Sequence, residues 1–345
     1  MRVLFDVTHP ALVHLFKHPI RALEERGERV HIASREKDVT TSLLDAYGID
    51  HVALTTASGG PLSRPREFLV RELRLVRLAR SLQPDVVVSQ VDPAAAHAAR
   101  LSGARCLVFD DSEPEWAAAA LTHPFADVVC TPATFERELG AKHRRYAGYH
   151  ELAYLHPDRF TPSRDRLERA GVNPDQRYFL VRFVSWNAHH DAGQAGFSPS
   201  AKRRLIDTLA RHGTVYICSE TSLPPDLRRY RLPVSPTLVH DVLAFADLYV
   251  GDSQTMATEA AVLGTPAIRS NSFAGDDDMG NFRHLETEYG LIRSIGDEDE
   301  AVRQAGAFAL TPPTKTWQRR RERLLDETID VASFVLDTIT EVGAR

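Results

Sequence analysis

The sequence has little of what marks the specialised classes of protein. Its three cysteines, Cys106, Cys130 and Cys218, are too few and too scattered for a disulfide framework or a zinc site, and the apolar runs around them predict buried, reduced thiols. No apolar run approaches the ~18 residues that cross a membrane. The N-terminal MRVLFDV lacks the basic stretch and long apolar stretch of a signal peptide. We therefore expect a soluble, cytoplasmic protein.

Net positive charge is also missing. The 42 lysine and arginine residues stand against 47 aspartate and glutamate residues, which gives a net charge of -5. A non-specific nucleic-acid binder is usually basic, so no nucleic-acid partner is expected. Only five of the 42 basic residues are lysine, and we attribute the arginine excess mainly to coding composition. What remains is an ordinary globular composition over 345 residues, a length that favours two domains.

Short β-branched runs alternate with helical patterns along the chain, which predicts parallel sheets covered by helices on both faces. The predicted strands cover residues 2–7, 30–34, 51–54, 85–89, 105–109, 127–130, 178–183, 214–218, 248–250 and 266–269. The predicted helices cover residues 19–26, 39–47, 65–82, 93–101, 115–121, 199–212, 238–246, 256–263, 281–289, 298–308 and one long tail, 315–340.

The segment 148–165 breaks this rhythm and carries Pro157 and Pro162, so we interpret it as an inter-domain hinge. The prediction is an α/β protein with two doubly wound, Rossmann-type domains, residues 1–160 and 166–315, that face a central cleft. A C-terminal helix over 316–345 is expected to return to the first domain. Ligands of such sheets bind beyond the carboxyl ends of the strands, which directs attention to the segments that follow strands.

The polar segment after the first strand is the first candidate. It reads THPALVH, and we predict a loop in which His14, more than His9, serves as a general base near neutral pH. Helix capping and packing are the alternative roles for both histidines. The segment has no G-x-G-x-x-G fingerprint, which disfavours ordinary dinucleotide binding.

Carboxylates follow the predicted strands 85–89 and 105–109. Asp92 precedes Pro93, so it is either a helix N-cap or a carboxylate of the site. Asp110, Asp111 and Glu113 repel one another unless they bind something or share protons, and we favour Glu113 and Asp111 as acid or base. Solvated loop residues are the alternative.

The second half contributes candidates for anion binding. Arg182 lies in an apolar strand, where a cation is costly unless it meets an anion, and it is predicted to grip a phosphate together with Ser185. The histidine–histidine–aspartate run at 189–191 is a weaker candidate for metal binding.

The segment 250–266, VGDSQTMATEAAVLGTP, is the most informative. A strand end is followed by a polar turn at Ser253, Gln254 and Thr255 and then by a helix, whose free amides and positive end suit a diphosphate. Glu259 lies about one turn further along, where its carboxylate suits the two hydroxyls of a ribose. Simple capping by Ser253 beside a buried glutamate is the alternative.

This segment resembles the donor-binding segment of GT-B glycosyltransferases and of UDP-N-acetylglucosamine 2-epimerase, in which such a turn holds the diphosphate and a helix glutamate holds the ribose. The whole chain resembles a family of uncharacterised archaeal and bacterial proteins, domain of unknown function 354, which is related to that superfamily. The stretches that carry this resemblance are FDVTHPALVHLFKHPIRALEERGERVHIASR, YGI, LVFDDSE, HPFADVVCTP, GYHELAYLHP, VRFVSWNAHHD and TMATEAAVLGTPAIRSNSFAGDDDMGN.

The stretch SQVDPAAAHAARLSGARCLVFDDSE looks like the epimerase segment that carries a catalytic Asp and a catalytic Glu, which maps those roles onto Asp92 and Glu113. The chain departs from the epimerase where Asp111 or Ser112 replaces a histidine. It departs from many GT-B transferases in lacking the Gly-rich loop that opens the second domain.

Three functions remain open. The first is glycosyl transfer from a nucleotide sugar, most simply a UDP-sugar, to an unknown acceptor, lipid-linked or polysaccharide. His14, Asp92 or Glu113 would then be the base, while Arg182 and the helix at Ser253 stabilise the leaving diphosphate. The second is nucleotide-sugar epimerisation or hydrolysis through Asp92 and Glu113. The third is nucleotide-sugar binding without catalysis. None requires a resident cofactor or metal, and a homodimer is compatible with each.

Arginines at positions 71, 74, 77 and 80 recur every third residue of the predicted helix 65–82. They would suit a membrane interface, but the apolar residues of this helix do not collect on one clean face. A solvated helix edge is therefore the favoured interpretation.

Overall fold

The computed structural model describes residues 1–57, 63–184, 196–219, 222–272, 274–275 and 278–344. The chain divides into two compact units. The first contains Met1–Arg159 together with Ile329–Arg345, and the second contains Phe160–Thr328.

In the first unit, strands and helices alternate from β1 to β6. In chain order the elements are β1 (Arg2–Val7), α1 (Pro10–Glu25), β2 (Arg29–Glu36), α2 (Thr40–Ala46), β3 (Val52–Thr56), α3 (Ser63–Leu82), β4 (Val86–Gln90), α4 (Pro93–Ser102), β5 (Arg105–Phe109), α5 (Trp116–Thr122), β6 (Val128–Pro132), β7 (His143–Tyr146) and α6 (Leu152–Leu155). A 3₁₀ turn, His123–Phe125, follows α5.

The remaining elements continue this alternation in the second unit. They are α7 (Arg164–Arg169), β8 (Tyr178–Phe183), α8 (Pro199–Leu209), β9 (Thr214–Ser219), α9 (Val239–Phe245), β10 (Leu248–Gly251), α10 (Gln254–Leu263), β11 (Ala267–Arg269), α11 (Gly280–Thr287), β12 (Ile292–Ser294), α12 (Glu298–Leu310) and α13 (Thr314–Asp326). The last helix, α14 (Val331–Gly343), belongs to the first unit.

Both sheets are parallel and doubly wound, as the sequence predicts. The first has seven strands in the order β3-β2-β1-β4-β5-β6-β7, and the second has five in the order β12-β11-β10-β8-β9. Strand order reverses between β1 and β4 in the first sheet and between β8 and β10 in the second. These two switch points are where ligands of such sheets bind.

Apolar side chains on both faces of the strands explain why the sheets are covered twice. In β1, Val3, Leu4 and Phe5 are all fully buried, although neighbouring side chains of a strand point to opposite faces. One face of the first sheet packs on α3 and α4 through a cluster rich in alanine. The second unit has a comparable core between its sheet and helices α8 and α12.

The helix α1 corrects the prediction for the segment after β1. It begins at Pro10 rather than at residue 19, so the expected loop around His14 is the first half of a helix. His9 is its N-cap, with Nδ1 accepting a hydrogen bond from the Ala11 amide at 3.3 Å. Pro19, which suggested a helix start, lies inside the helix. Pro10 and Pro19 are both acceptable first residues of a helix, so the local signal was ambiguous.

Further elements differ from the sequence prediction, which placed no helix at α6 or α7. Strands β7 and β12 were missed because they are short and carry charged residues in place of a β-branched run. The tail is two helices rather than one, since α13 ends at Asp326 and Asp330 caps α14 by accepting a hydrogen bond from the Ala332 amide. α14 packs on α1 and α6.

Cys106 and Cys130 are buried, as predicted, while Cys218 is half-buried. Burial raises the pKa of the Cys106 and Cys130 thiols to about 12, which keeps both protonated and unreactive. Within the described ranges, every helix is too short or too polar to cross a bilayer.

Stability toward acid is expected to depend on His18, on α1. Burial, together with the charges of Lys17, Arg159 and Arg21, lowers the pKa of His18 to about 4. In the unfolded chain the His18 imidazole binds a proton near pH 6.5, whereas in the folded protein it does so only near pH 4. The free energy of unfolding therefore decreases as the pH falls from about 6.5 toward 4. After allowance for partial exposure, His18→Gln should reduce this loss by about 2 kcal/mol. Urea unfolding at pH 7.0, 5.5 and 4.5 measures it. Parallel pH profiles of His18→Gln and wild type would contradict the assignment.

Candidate functional site

The switch point of the second unit is closed by Asp252. The Asp252 carboxylate accepts a hydrogen bond from the Val184 amide at 2.8 Å, and its own amide donates to the Arg182 carbonyl at 3.3 Å. From beyond β11, the Asn271 side-chain amide donates to the Asp252 carbonyl at 3.2 Å. These bonds fix the loop after β10 against the end of β8.

The close approach of these strands depends on Gly251. A Cβ added there would lie 2.8 Å from the Arg182 carbonyl oxygen and would also meet the Tyr249 ring. Real Cβ atoms do not approach that closely, so only glycine permits this packing.

The turn predicted to hold a diphosphate begins α10. Ser253 is the N-cap, and its hydroxyl accepts a hydrogen bond from the Met256 amide at 3.3 Å. Gln254 and Thr255 form the first turn and are half-buried. The first amides of a helix have no acceptor inside the helix, and the helix dipole adds positive potential there. Capping by Ser253 is therefore compatible with the predicted anion-binding role of this helix end.

The predicted ribose ligand, Glu259, is buried and already has a partner. Nε2 of His240, on α9, lies 2.9 Å from its Oε1 atom, and both side chains are buried. A carboxylate buried beside an imidazole is held in one orientation, as a hydroxyl-binding residue must be. The partnership with His240 escaped sequence analysis because nothing in TLVHDVLAF marks that histidine.

The cationic candidate Arg182 turns toward β9. Its Nη1 atom lies 2.9 Å from the Cys218 sulfur, and its side chain is half-buried. Ser185, predicted to share this phosphate grip, and the run at 189–191, a candidate for metal binding, lie outside the described residues.

Tyr249, on β10, is buried and is influenced by several charged groups of this site. Burial, with the negative charges of Asp252 and Glu259, raises its pKa well above the usual value, while the charge of Arg182 lowers it. The Tyr249 hydroxyl donates to the Ser253 carbonyl at 3.4 Å. Arg182 and Glu259, which the sequence analysis selected from two separate segments, therefore both act electrostatically on Tyr249, and the Tyr249 hydroxyl contacts Ser253.

At the switch point of the first unit, Asp92 has the cap geometry that the sequence analysis left open. Its Oδ1 atom accepts hydrogen bonds from the Ala94 and Ala95 amides at 2.8 and 3.4 Å. Its Oδ2 atom pairs with Nη1 of Arg71 at 2.9 Å. Both oxygens of this predicted catalytic carboxylate are thus engaged.

Arg71 corrects the interpretation of the arginine-rich helix as a solvated edge. It is only 4% exposed and reaches from α3 between Asp92 and Asp6, the latter on β1. Burial, with the charge of Asp92, raises the pKa of Asp6 to about 6, although Arg71 opposes the shift. The result is a buried carboxylate–guanidinium–carboxylate triad, Asp6–Arg71–Asp92, across the ends of β1 and β4.

Asp111 is held in a second polar cluster. Its Oδ1 atom accepts from the Gln90 side-chain amide at 3.0 Å, and its Oδ2 atom lies 3.0 Å from Nδ1 of His150. Burial alone would raise the pKa of Asp111, but the charge and hydrogen bonds of His150 and Gln90 outweigh it and hold the pKa below the usual value. His150 in turn stacks on the Tyr146 ring. Asp111 is therefore a fixed anion.

The other carboxylates of this segment point elsewhere. Oδ1 of Asp110 accepts from the Ser112 amide at 3.0 Å, and Oδ2 lies 3.1 Å from Nε2 of His123. Oε1 of Glu113 accepts a long hydrogen bond, 3.4 Å, from the Glu136 amide. Separate partners relieve the repulsion that the sequence analysis recognised.

His14 is buried among aromatic rings. It stacks on Tyr154 with ring centroids 5.2 Å apart and meets Tyr47 edge-on at 5.9 Å. Lys17 lies over the Tyr47 ring at 4.8 Å. The predicted general base thus lies on the second turn of a helix that begins at the switch point.

The sequence analysis missed four residues of these clusters: Asp6, Arg71, His150 and His240. Arg71 and His150 lie within patterns that it had singled out, but nothing local identifies their partners. Among the described residues, no group of three histidine, cysteine, aspartate or glutamate side chains is placed to hold a metal ion.

Comparison with solved structures shows the GT-B fold. The chain is similar to a UDP-GlcNAc 2-epimerase from Neisseria meningitidis bound to UDP-GlcNAc, with 14% identity over 99% of each chain and a TM-score of 0.66. It is also similar to the spinosyn forosaminyltransferase SpnP, with 17% identity over 100% of each chain and a TM-score of 0.65. A third similarity is to MurG from Acinetobacter baumannii, with 15% identity, 99% and 100% coverage and a TM-score of 0.59.

Comparison of the sequence alone finds no match. No family model matches the chain, and none of the curated proteins matches it.

Proposed function

We propose that the protein binds a nucleotide-diphosphate sugar in its second unit and transfers the sugar to an acceptor. The observation that carries the proposal is the arrangement at the β10–α10 junction, where a capped helix end and the buried Glu259 lie about one turn apart beside a switch point. An anion site and a fixed carboxylate at that separation suit the diphosphate and ribose of one nucleotide. The shared fold with a protein bound to UDP-GlcNAc supports a UDP-sugar as donor.

The chain's own groups account for the chemistry of this transfer. The first amides of α10, with Arg182, stabilise the negative charge that develops on the departing diphosphate. Because that leaving group is already activated, the transfer requires no resident cofactor. A base must take the proton of the acceptor hydroxyl. The candidates for this base are the groups that the sequence selects, His14, Asp92 and Glu113.

Glu259→Gln tests the nucleotide site. Glutamine keeps the shape and a hydrogen bond to His240, whereas alanine would leave that buried histidine without its partner and confuse binding with folding. Calorimetric titration with UDP, GDP, CMP and dTDP should show one preferred nucleotide for the wild type. Glu259→Gln should weaken its binding at least tenfold, since a charged acceptor of hydroxyl protons is lost.

Glu286→Gln is the matched control. Glu286 lies in the same unit and accepts a hydrogen bond from the Ser294 amide, so its change should leave nucleotide affinity unaltered. Equal affinity in the wild type and Glu259→Gln would exclude the ribose role. Absence of binding for all four nucleotides would exclude the proposal itself.

Epimerisation of the nucleotide sugar is the second candidate, and the triad favours it. Asp6, with its pKa near 6, exchanges a proton near neutral pH only a guanidinium away from Asp92. Moving a proton at a sugar carbon exchanges it with solvent, whereas glycosyl transfer does not. Deuterium entering the sugar ring in heavy water, with no acceptor present, would therefore identify an epimerase.

Membership of the uncharacterised family named above, a role in polysaccharide synthesis and a cytoplasmic location belong to the same proposal. Family membership and the role in polysaccharide synthesis rest on the stretches that carry the resemblance. The acceptor and a homodimer stay predictions.

A further inference from the structure

The outer face of α3 carries an unusual stripe of side chains. Arg66, Leu69, Leu73, Arg77 and Arg80 follow one another at helical spacing on this face, and all are exposed. Leu69 and Leu73 are 58% and 57% exposed, although large apolar residues normally turn inward. At 1.5 Å per residue the stripe is roughly 20 Å long, with leucines flanked by arginines at both ends.

The acidic residues of α3 are turned away from this stripe. Glu67 forms two hydrogen bonds, of 2.7 and 2.8 Å, with Arg35 on β2. Glu72 lies 2.5 Å from Nδ1 of His97, on α4. Within the described part of α3, the exposed charges are therefore all positive.

The apolar surface continues from α3 onto its neighbours. Nε of Arg80 donates to the carbonyl of Leu101 at 3.2 Å, and Leu101, on α4, is 51% exposed. His97 packs edge-on against Phe125, which is 41% exposed, with ring centroids 4.8 Å apart. Exposed apolar groups thus lie on three elements that contact in sequence, α3 with α4 and α4 with the 3₁₀ turn His123–Phe125.

We infer that this α3 surface docks on an anionic lipid bilayer. Leucine side chains on a helix lying in the interface enter the boundary of headgroups and acyl chains, while arginines extend to the lipid phosphates. On the described part of α3, positive charge without exposed acids complements the negative surface of such a membrane. A nucleic acid would also attract the arginines, but it would leave Leu69 and Leu73 in water, so the lipid surface explains both halves of the stripe. Docking would place the first unit beside membrane-anchored acceptors.

Vesicle co-sedimentation with the full-length protein tests the inference. We expect binding to vesicles of phosphatidylglycerol and phosphatidylcholine, and much weaker binding to phosphatidylcholine alone. Arg77→Gln with Arg80→Gln should weaken binding about 25-fold, at about fivefold for each charge near the surface. Leu69→Ser with Leu73→Ser should weaken it about tenfold at high as well as low salt, because that loss is apolar.

Exposed residues of the second unit provide matched controls. Arg169→Gln with Arg211→Gln removes two exposed charges, and Leu310→Ser removes a leucine that is 65% exposed; both should bind vesicles like the wild type. Equal loss in the control and α3 variants would overturn the inference, as would wild-type protein that ignores anionic vesicles. If the protein bound single-stranded RNA but no vesicles, and the leucine variants still bound that RNA, the partner of this surface would be a polyanion rather than a lipid bilayer.

Discussion

Arg71→Met is expected to destabilise the first unit by about 4 kcal/mol. Methionine fills much of the space of the arginine stem, so the loss is electrostatic rather than a cavity. Removing the guanidinium leaves Asp6, which is buried, and Asp92 as neighbouring carboxylates without a cation, and breaking a buried ion pair in this way typically costs 3–5 kcal/mol. Thermal and urea unfolding measure the change.

The pH dependence of Arg71→Met identifies the cause. Arg71 lowers the pKa of Asp6, so its removal raises that pKa further above the unfolded value. A carboxyl group whose pKa is raised by folding contributes stability below its unfolded pKa, and this is lost as the pH rises through the folded one. The deficit of the variant should therefore grow from pH 5 to pH 8.

Two variants distinguish the loss of the buried charge from a loss of packing. Arg77→Met lies on the same helix but is exposed, and should change stability by less than about 0.5 kcal/mol. Asp6→Asn combined with Arg71→Met removes one buried charge and should recover part of the loss. A deficit independent of pH, or no recovery in the double variant, would show that packing rather than charge explains the result.

Gly251→Ala should cost about 3 kcal/mol and abolish measurable nucleotide binding. Its Cβ would lie 2.8 Å from the Arg182 carbonyl, a backbone atom that cannot turn aside as a side chain can. β8 and β10 must separate, which breaks the bonds that Asp252 makes to Val184 and Arg182 and displaces the start of α10.

Gly275→Ala is the control for Gly251→Ala, because nothing lies within 4 Å of a Cβ added at Gly275. It should alter neither unfolding nor nucleotide affinity by more than the error of measurement. If Gly251→Ala keeps wild-type affinity, the junction of β10 and α10 is not the nucleotide site.

The fold was predictable because short sequence patterns determine where its strands and helices begin and end. Apolar runs such as Tyr178–Phe183 are strands buried on both faces, and glycines such as Gly103 and Gly264 end helices in the left-handed conformation. The errors arose where local signals conflict. His143–Tyr146 is a strand with three basic residues, and Pro19 lies inside a helix that it seemed to begin.

The site was predictable only where one segment contains it. Ser253 and Glu259 are separated by less than two helical turns, and spacing alone suggests their joint role. Asp6, Arg71 and Asp92 come from three elements far apart in the chain, so no spacing rule could join them. The sequence shows that arginines recur along α3. Only tertiary packing determines that Arg71 is buried while Arg77 and Arg80 are exposed.

Arg71 also sets the rotation of α3 about its own axis. Successive residues of a helix are 100° apart, so turning α3 by one position would carry the guanidinium away from both carboxylates. The same turn would rotate Leu69 and Leu73 off the outer face and bring Glu72 or Val70 toward it. The buried ion pair, together with the apolar residues of α3 in the core, thus fixes which residues α3 presents to its surroundings.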